Sequence, residues 1–288
     1  MINACTHSEQ GSIAADSVDT FLDQPAAPGH AVQFYEADGR LLERNVSRYL
    51  LEGLRRGQGQ LVVATPARIQ AISREFEAAG ADPAAVQRDG RLTFLNVQET
   101  LAKCLADGQP DWDRFESTLG AAMRDLRARA DITGLRAYGE MVALLWNAGR
   151  YSAAIRLEKF WNKLLESNSF SMFCGYPIDV FGSEFQIGGL DAILRAHTHF
   201  LPAGTNQDLE NAVDQSMNEI LGRRAEGVRS LIKASSQPSW AAIPRAEATI
   251  LWLRNSLSDE AEEILARARL RYRASQSLRS HSPKNTVQ

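Results

Sequence analysis

Cysteine is scarce: Cys5, Cys104 and Cys174 are the three in 288 residues, far apart and forming no CxxC pair. That excludes a disulfide scaffold and a zinc site built from paired thiols, and it fits a reducing compartment. No apolar run approaches the ~20 residues that a membrane span needs. The first 25 residues lack the basic-then-apolar order of a secretory signal. A large excess of one sign of charge is missing too. A net charge of −3 leaves no global field to recruit nucleic acid or anionic lipid. The chain contains no GxxxxGK[ST] phosphate loop, no GxGxxG after a strand and no GxSxG elbow. Gly57-Gln58-Gly59 precedes a strand and reads as a turn. What is present is ordinary for a globular protein, with 44% hydrophobic and 23% charged residues. The expectation is a soluble, cytoplasmic protein.

Residues 1–28 are polar and rich in small side chains, ending in Gln24-Pro25-Ala26-Ala27-Pro28, and read as a disordered N-terminal arm. A strand–helix alternation follows over 29–202. Ala31–Tyr35, Leu61–Ala64, Leu92–Val97, Leu135–Gly139 and Phe170–Cys174 are strand candidates. Leu61-Val62-Val63-Ala64 has the continuous apolar character of a strand buried on both faces. Between the strands, apolar residues at 42, 46, 49, 50 and 54 have helical spacing, and Thr65-Pro66 opens a second helix that Gly80 ends. Helices are also expected over 98–106, 111–130 and 141–167, the last breaking near Gly149. Residues 179–199 read as mixed, largely helical chain. This order predicts an α/β fold with a mostly parallel sheet flanked by helices. Over 203–272, apolar residues at three- to four-residue steps predict two amphipathic C-terminal helices. Residues 273–288 belong to a stretch without acids and read as a disordered basic tail.

Ligands of a parallel sheet bind beyond the carboxyl ends of the strands. The loop after the first strand, Glu36-Ala37-Asp38-Gly39-Arg40, is acidic and would repel phosphate. At the fourth strand, Arg136, Tyr138 and Glu140 bring a cation, a phenol and a carboxylate together, and Glu140 runs into Met141, Val142, Leu144, Leu145 and Trp146. An acid in such company is partly desolvated unless paired, which raises its pKa. It is either a ligand-recognising or proton-transferring acid, or part of an ion pair of Arg136 with Glu140 or Glu158. The helical region beyond supplies Trp146, Asn147, Glu158, Trp161 and Asn162, which could line a pocket or fill the core. Tyr35 and His30 flank the first strand, and His30 serves a ligand, a cap or the surface. Cys174 reads as a buried inert thiol. His197 and His199, two apart on an expected helix, point to different sides and suggest no metal site.

The segments His30–Glu36, Arg136–Trp146, Ala153–Glu158, Trp161-Asn162 and Cys174-Gly175-Tyr176-Pro177, agreeing in order, resemble the MEDS domain. This is the sensory domain named after the methanogen and methylotroph regulator DcmR. The resemblance covers roughly 30–200 and implies a RecA/KaiC-like core in a prokaryotic signalling module. Two departures from such ATPases stand out: the acidic 36–40 turn replaces the GKT loop, and Thr65-Pro66-Ala67-Arg68 replaces the paired glutamates after the next strand. A non-catalytic module without cofactor or metal is therefore expected. It would bind a small organic ligand, or a partner's peptide, at residues drawn from the ten candidates above and relay binding through its C-terminal helices. Its output would pass through a signalling partner (a histidine kinase or regulator) or through self-association, with no membrane or nucleic acid. A divergent nucleotide-binding enzyme using Glu140, and a purely protein-binding scaffold, are the alternatives.

Overall fold

The computed structural model describes residues 20–24, 28–36, 39–128, 131–204, 206–235 and 243–281. Short apolar runs form six parallel strands: β1 (Gly29–Phe34), β2 (Gly59–Ala64), β3 (Leu92–Asn96), β4 (Leu135–Gly139), β5 (Ser171–Tyr176) and β6 (His199–Leu201). They are ordered β3-β2-β4-β5-β1-β6. Strands β1, β2, β4 and β5 are buried along their whole length, as a sheet covered on both faces requires, whereas β3 at the edge buries only Leu92. The expected parallel α/β architecture is present.

One face is covered by α1 (Arg40–Arg55), α2 (Pro66–Ala78) and α3 (Pro83–Arg88), whose apolar side chains meet Ala31, Val62, Tyr138 and Phe173 of the strands. Helix α2 starts at the expected Thr65-Pro66, whereas α3 is an addition to the expected elements. Thr65 Oγ1 accepts from Arg68 N and Asp82 Oδ1 from Ala84 N, each followed by Pro at the first helical position. The other face is covered by α4 (Val97–Lys103), α5 (Trp112–Arg127, with a π turn over Glu116–Gly120), α6 (Met141–Asn147), α7 (Tyr151–Ser167) and α8 (Ile187–Ala196). The break at Gly149 falls between α6 and α7, where Gly149 has φ +69°.

Several expectations change. Residues 105–106 and 109–110 form a two-residue antiparallel hairpin, ending the helix expected to reach 106. His197 follows α8 and His199 opens the unexpected strand β6; no helix joins them, and across the bend at Thr198 His197 turns to Glu158 and His199 to Phe21. The end of the N-terminal arm is docked: Phe21 and Leu22 are buried and Phe21 stacks on Tyr49 at 5.5 Å. The remainder of that arm lies outside the described residues. Among its described residues the C-terminal region contains four α-helices rather than two: α9 (Asn206–Leu221), α10 (Ala225–Ala234), α11 (Arg245–Ser256) and α12 (Ser258–His281). Helix α12 runs nine residues beyond 272, where the tail was placed; 282–288 lie outside the described residues. These helices share one continuous core with the sheet: Leu209, Val213, Met217, Ile250, Leu253 and Ile264 belong to the same buried cluster as Val32 and Tyr176. Among the described residues no helix is long and apolar enough to cross a membrane.

Candidate functional site

The strand alternation sorts the candidate residues. β1 and β5 run side by side with Val32 opposite Cys174 and Phe34 opposite Tyr176. Val32, Phe34, Met172, Cys174 and Tyr176 face α7 and α8, while Ala31 and Phe173 face α1. In β4 the order is reversed: Ala137 faces α7, and Tyr138 faces α1.

Tyr35, Tyr138 and Glu140 meet where β1, β2 and β4 end. Glu140, 5% exposed, accepts from Thr65 N at 2.8 Å, Arg68 Nε at 2.9 Å and the Tyr138 hydroxyl at 3.0 Å. Arg68 also pairs with Glu43 at 2.7 Å. The expected pairing of Arg136 with Glu140 or Glu158 is therefore replaced by Arg68, which the sequence reading had noted only as a departure. Burial, then the neighbouring Glu140, pushes the Tyr35 phenol up to about 12, and the same causes push Tyr138 well above its usual value. Gly39, in left-handed backbone at φ +55°, starts α1 beside Arg68; a Cβ there would lie 3.1 Å from Arg68 Nη2.

Arg136 sits at the opposite end of β4, about 13 Å along the strand from Glu140. It is fully buried, donating to the carbonyls of Leu22 (2.7 Å), Tyr49 (2.6 Å) and Asp23 (2.9 Å) and to Gln58 Oε1 (2.6 Å), with its guanidinium 4.9 Å from the Tyr49 ring centre. Gly53 lets it pass, since a Cβ there would stand 2.7 Å from Arg136 Cδ. Arg136 therefore clamps the N-terminal segment and is not at the strand exits. Asn147 is exposed at the end of α6, and Trp161 is core, edge-on to Phe115 at 5.1 Å.

His30, Glu158 and Asn162 meet elsewhere, sealed between the sheet and helices α7 and α8. His30 Nδ1 lies 2.8 Å from Asn162 Oδ1, and Asn162 Nδ2 donates to the Ala196 carbonyl, so His30 carries its proton on Nδ1. His197 Nδ1 is 2.7 Å from the Ile193 carbonyl, an acceptor only, so it too is protonated there. Both Nε2 atoms turn toward Glu158, at 3.4 and 3.5 Å. Tyr176 donates to Glu158 Oε1 at 2.7 Å, and Cys174 Sγ lies 3.7 Å from Oε2 and 3.4 Å from His30 Nε2. Burial pushes Glu158 up to about 7, His30 down to about 4, His197 well below its usual value and Cys174 well above. The histidines are thus neutral at pH 7 and do not form ion pairs with Glu158. Trp146 packs edge-on to Tyr176 at 5.4 Å on the rim of this cluster. The sequence reading passed over Cys174, Tyr176 and His197 as ligands. The i, i+2 spacing of Cys174 and Tyr176 placed them on one face, but the register against His30 was not readable.

Two open depressions lie away from the strand exits. One of about 410 Å³ opens near the amino ends of the strands between Gln58, Arg127, Thr133 and Ser169. One of about 210 Å³ lies beside Gly149 and Arg150.

The family model described as "MEDS: MEthanogen/methylotroph, DcmR Sensory domain" matches residues 29–198. The chain belongs to the MEDS family. No curated protein matches it. All ten candidate residues fall inside the MEDS segment, as do Arg68, Cys174 and His197, whereas α9 to α12 lie beyond it. The MEDS domain is named a sensory domain, which suggests a sensory or signalling role here.

Proposed function

We propose that this MEDS chain is a non-catalytic sensory module that binds a small organic ligand where β1, β2 and β4 end, and relays binding through its C-terminal helices. The relay ends on a signalling protein, a histidine kinase or regulator, or on a second copy of the chain. The observation that carries this reading is a set of arginines joining α11 and α12 to the loops that leave the sheet. Arg254 donates to the carbonyls of Phe185 at 2.8 Å and Phe181 at 2.9 Å, Arg269 pairs with Asp179, and Arg273 lies 3.6 Å from Glu36. Glu36 adjoins Tyr35 of the ligand site, and Asp179 follows β5. A ligand that prefers one arrangement of these loops would shift the populations of α11 and α12 by its differential affinity.

A non-catalytic role is supported by Glu140, whose carboxylate is already engaged by a guanidinium, a backbone amide and a phenol. A general base would need that acid free to reach a substrate proton. Loss of the phosphate loop is supported by the acidic 36–40 sequence and by Glu43 and Glu140 on either side of Arg68. A cytoplasmic setting is supported by Cys104 and Cys174, both buried and free.

The test is a thermal-shift and calorimetry screen of the full chain against small organic metabolites and, separately, nucleotides with Mg²⁺. A bound ligand raises stability by ~2.7 kcal/mol at a hundred times its Kd. A metabolite that binds without turnover, and that Arg68→Met weakens, is the expected result. Turnover of a Mg-nucleotide that Glu140→Gln abolishes would overturn the reading in favour of an enzyme. Silence across both panels from a folded sample would overturn the ligand half and leave a protein-only docking module.

A further inference from the structure

The sealed cluster under β1 and β5 has more lone pairs than protons to fill them. His30 Nε2, His197 Nε2 and both Glu158 oxygens converge, and the local donors facing them are the Cys174 thiol and the Tyr176 hydroxyl. His197 Nε2 is buried with no hydrogen-bond partner. Each imidazole is held by the hydrogen bond from its Nδ1, one to the Asn162 side chain and one to the Ile193 carbonyl, leaving Nε2 as a lone-pair donor. This is how metal-bound histidines are oriented by their surroundings. One Cys Sγ, one carboxylate oxygen and two imidazole nitrogens all lie within 4.8 Å of one another, and the four residues are at most 3% exposed. Bonds of ~2.0–2.3 Å to a tetrahedral metal would set donor–donor edges of about 3.3–3.8 Å. Three separations fall in that range, His30 Nε2 to Cys174 Sγ (3.4 Å), His30 Nε2 to Glu158 Oε2 (3.4 Å) and Cys174 Sγ to Glu158 Oε2 (3.7 Å), while His197 Nε2 lies 3.5 Å from the other carboxylate oxygen, Oε1, and within 4.8 Å of the rest of the set.

We propose that His30, Glu158, Cys174 and His197 form a closed, four-ligand site for a divalent transition metal of the zinc class. The mixed imidazole, thiolate and carboxylate set suits zinc, and cobalt as its spectroscopic substitute. Binding replaces the thiol proton of Cys174, and that of Glu158 where it is held, with the metal; the protons go to solvent. A dication with two anionic ligands is neutral overall, which suits a dry site. With four protein ligands no position stays open, so the metal is structural, tying β1, β5, α7 and the α8–β6 junction together. The inference does not rest on the sensory reading, since the site is remote in role from Tyr35 and Glu140 and predicts metal content whether or not any metabolite binds.

The test uses the full chain produced in zinc- or cobalt-supplemented medium, because a sealed site fills as the chain folds. About one zinc per chain is expected by elemental analysis. The cobalt form should show intense tetrahedral d–d bands and a near-ultraviolet thiolate-to-cobalt charge-transfer band. Cys174→Ser should remove the charge-transfer band, and His197→Gln should lower metal content at least tenfold, while Cys104→Ser should change neither. A folded wild-type chain with under a tenth of an equivalent from both media would overturn the proposal. So would a charge-transfer band that survives Cys174→Ser. Should the variants fail to fold, the wild-type metal content and cobalt spectrum decide alone.

Discussion

Replacing Arg68 with Met removes the guanidinium that holds Glu140, while Thr65 N–H and the Tyr138 hydroxyl remain in place. The side chains are 11% and 7% exposed, so solvent screens the pair little. A hydrogen bond to a charged group contributes about 1.5–3 kcal/mol, and stripping one partner from a buried pair costs about 3–5 kcal/mol. Two surviving donors to Glu140 bring the expected loss to about 2–4 kcal/mol. Glu140→Gln should cost less, about 1–2 kcal/mol, because Arg68 keeps Glu43 as a partner at 2.7 Å and the amide keeps its shape. In a double-mutant cycle followed by urea unfolding, the two changes together should cost about 1–2 kcal/mol less than their sum. Additive costs, or an Arg68→Met variant within about 0.5 kcal/mol of wild type, would refute the claim that this guanidinium neutralises Glu140.

Arg136→Met leaves the carbonyls of Leu22, Asp23 and Tyr49 and the Gln58 side chain without their shared donor. It should destabilise by about 3–5 kcal/mol and speed amide exchange over 20–24; unchanged exchange there would argue against the clamp. Glu247, buried on α11 and held by Ala203 N–H at 2.7 Å, is pushed up to about 7 by burial. Its neutral form fits the fold, so its contribution is complete below the unfolded value of about 4.5 and is lost as pH rises through 7, on the order of 3 kcal/mol. Glu247→Gln should flatten the fall in stability between pH 5 and 8 relative to wild type, and parallel pH profiles would contradict this. A Cβ on Gly204 would collide with the Tyr272 hydroxyl of α12, so Gly204→Ala should cost about 1–3 kcal/mol and loosen α12 in hydrogen exchange.

The sheet was legible because its central strands are continuous apolar runs, and Thr65-Pro66, Gly80 and Gly149 punctuate the helices between them. Strand β6 was not, since three residues, His199–Leu201, carry no period. The hairpin at 105–110 was hidden by Asp107-Gly108, which reads equally as a loop between helices. At the site, Tyr35, Tyr138 and Glu140 were found because they lie at the carboxyl ends of β1 and β4, parallel strands that end on the same edge of the sheet. Arg136 was misplaced because it stands four residue steps of extended chain from Glu140, a distance that a sequence neighbourhood conceals. Arg68 was seen as a departure and not as a partner, because its pairing depends on β2 lying beside β4. The same dependence hid the meeting of His30, Glu158, Cys174 and His197: four elements contribute, and only the β1–β5 register and the packing of α7 and α8 bring them together.

The central claim is that the strand-exit site and the C-terminal helices are coupled. Hydrogen exchange read by mass spectrometry on the full chain, with and without the metabolite found by the thermal-shift screen, tests it directly. Protection should change around 35–36, 65–68 and 138–140 and, together with them, over α11 and α12 from Arg245 to His281. A change confined to the strand exits, with α11 and α12 exchanging as in the free chain, would contradict the relay.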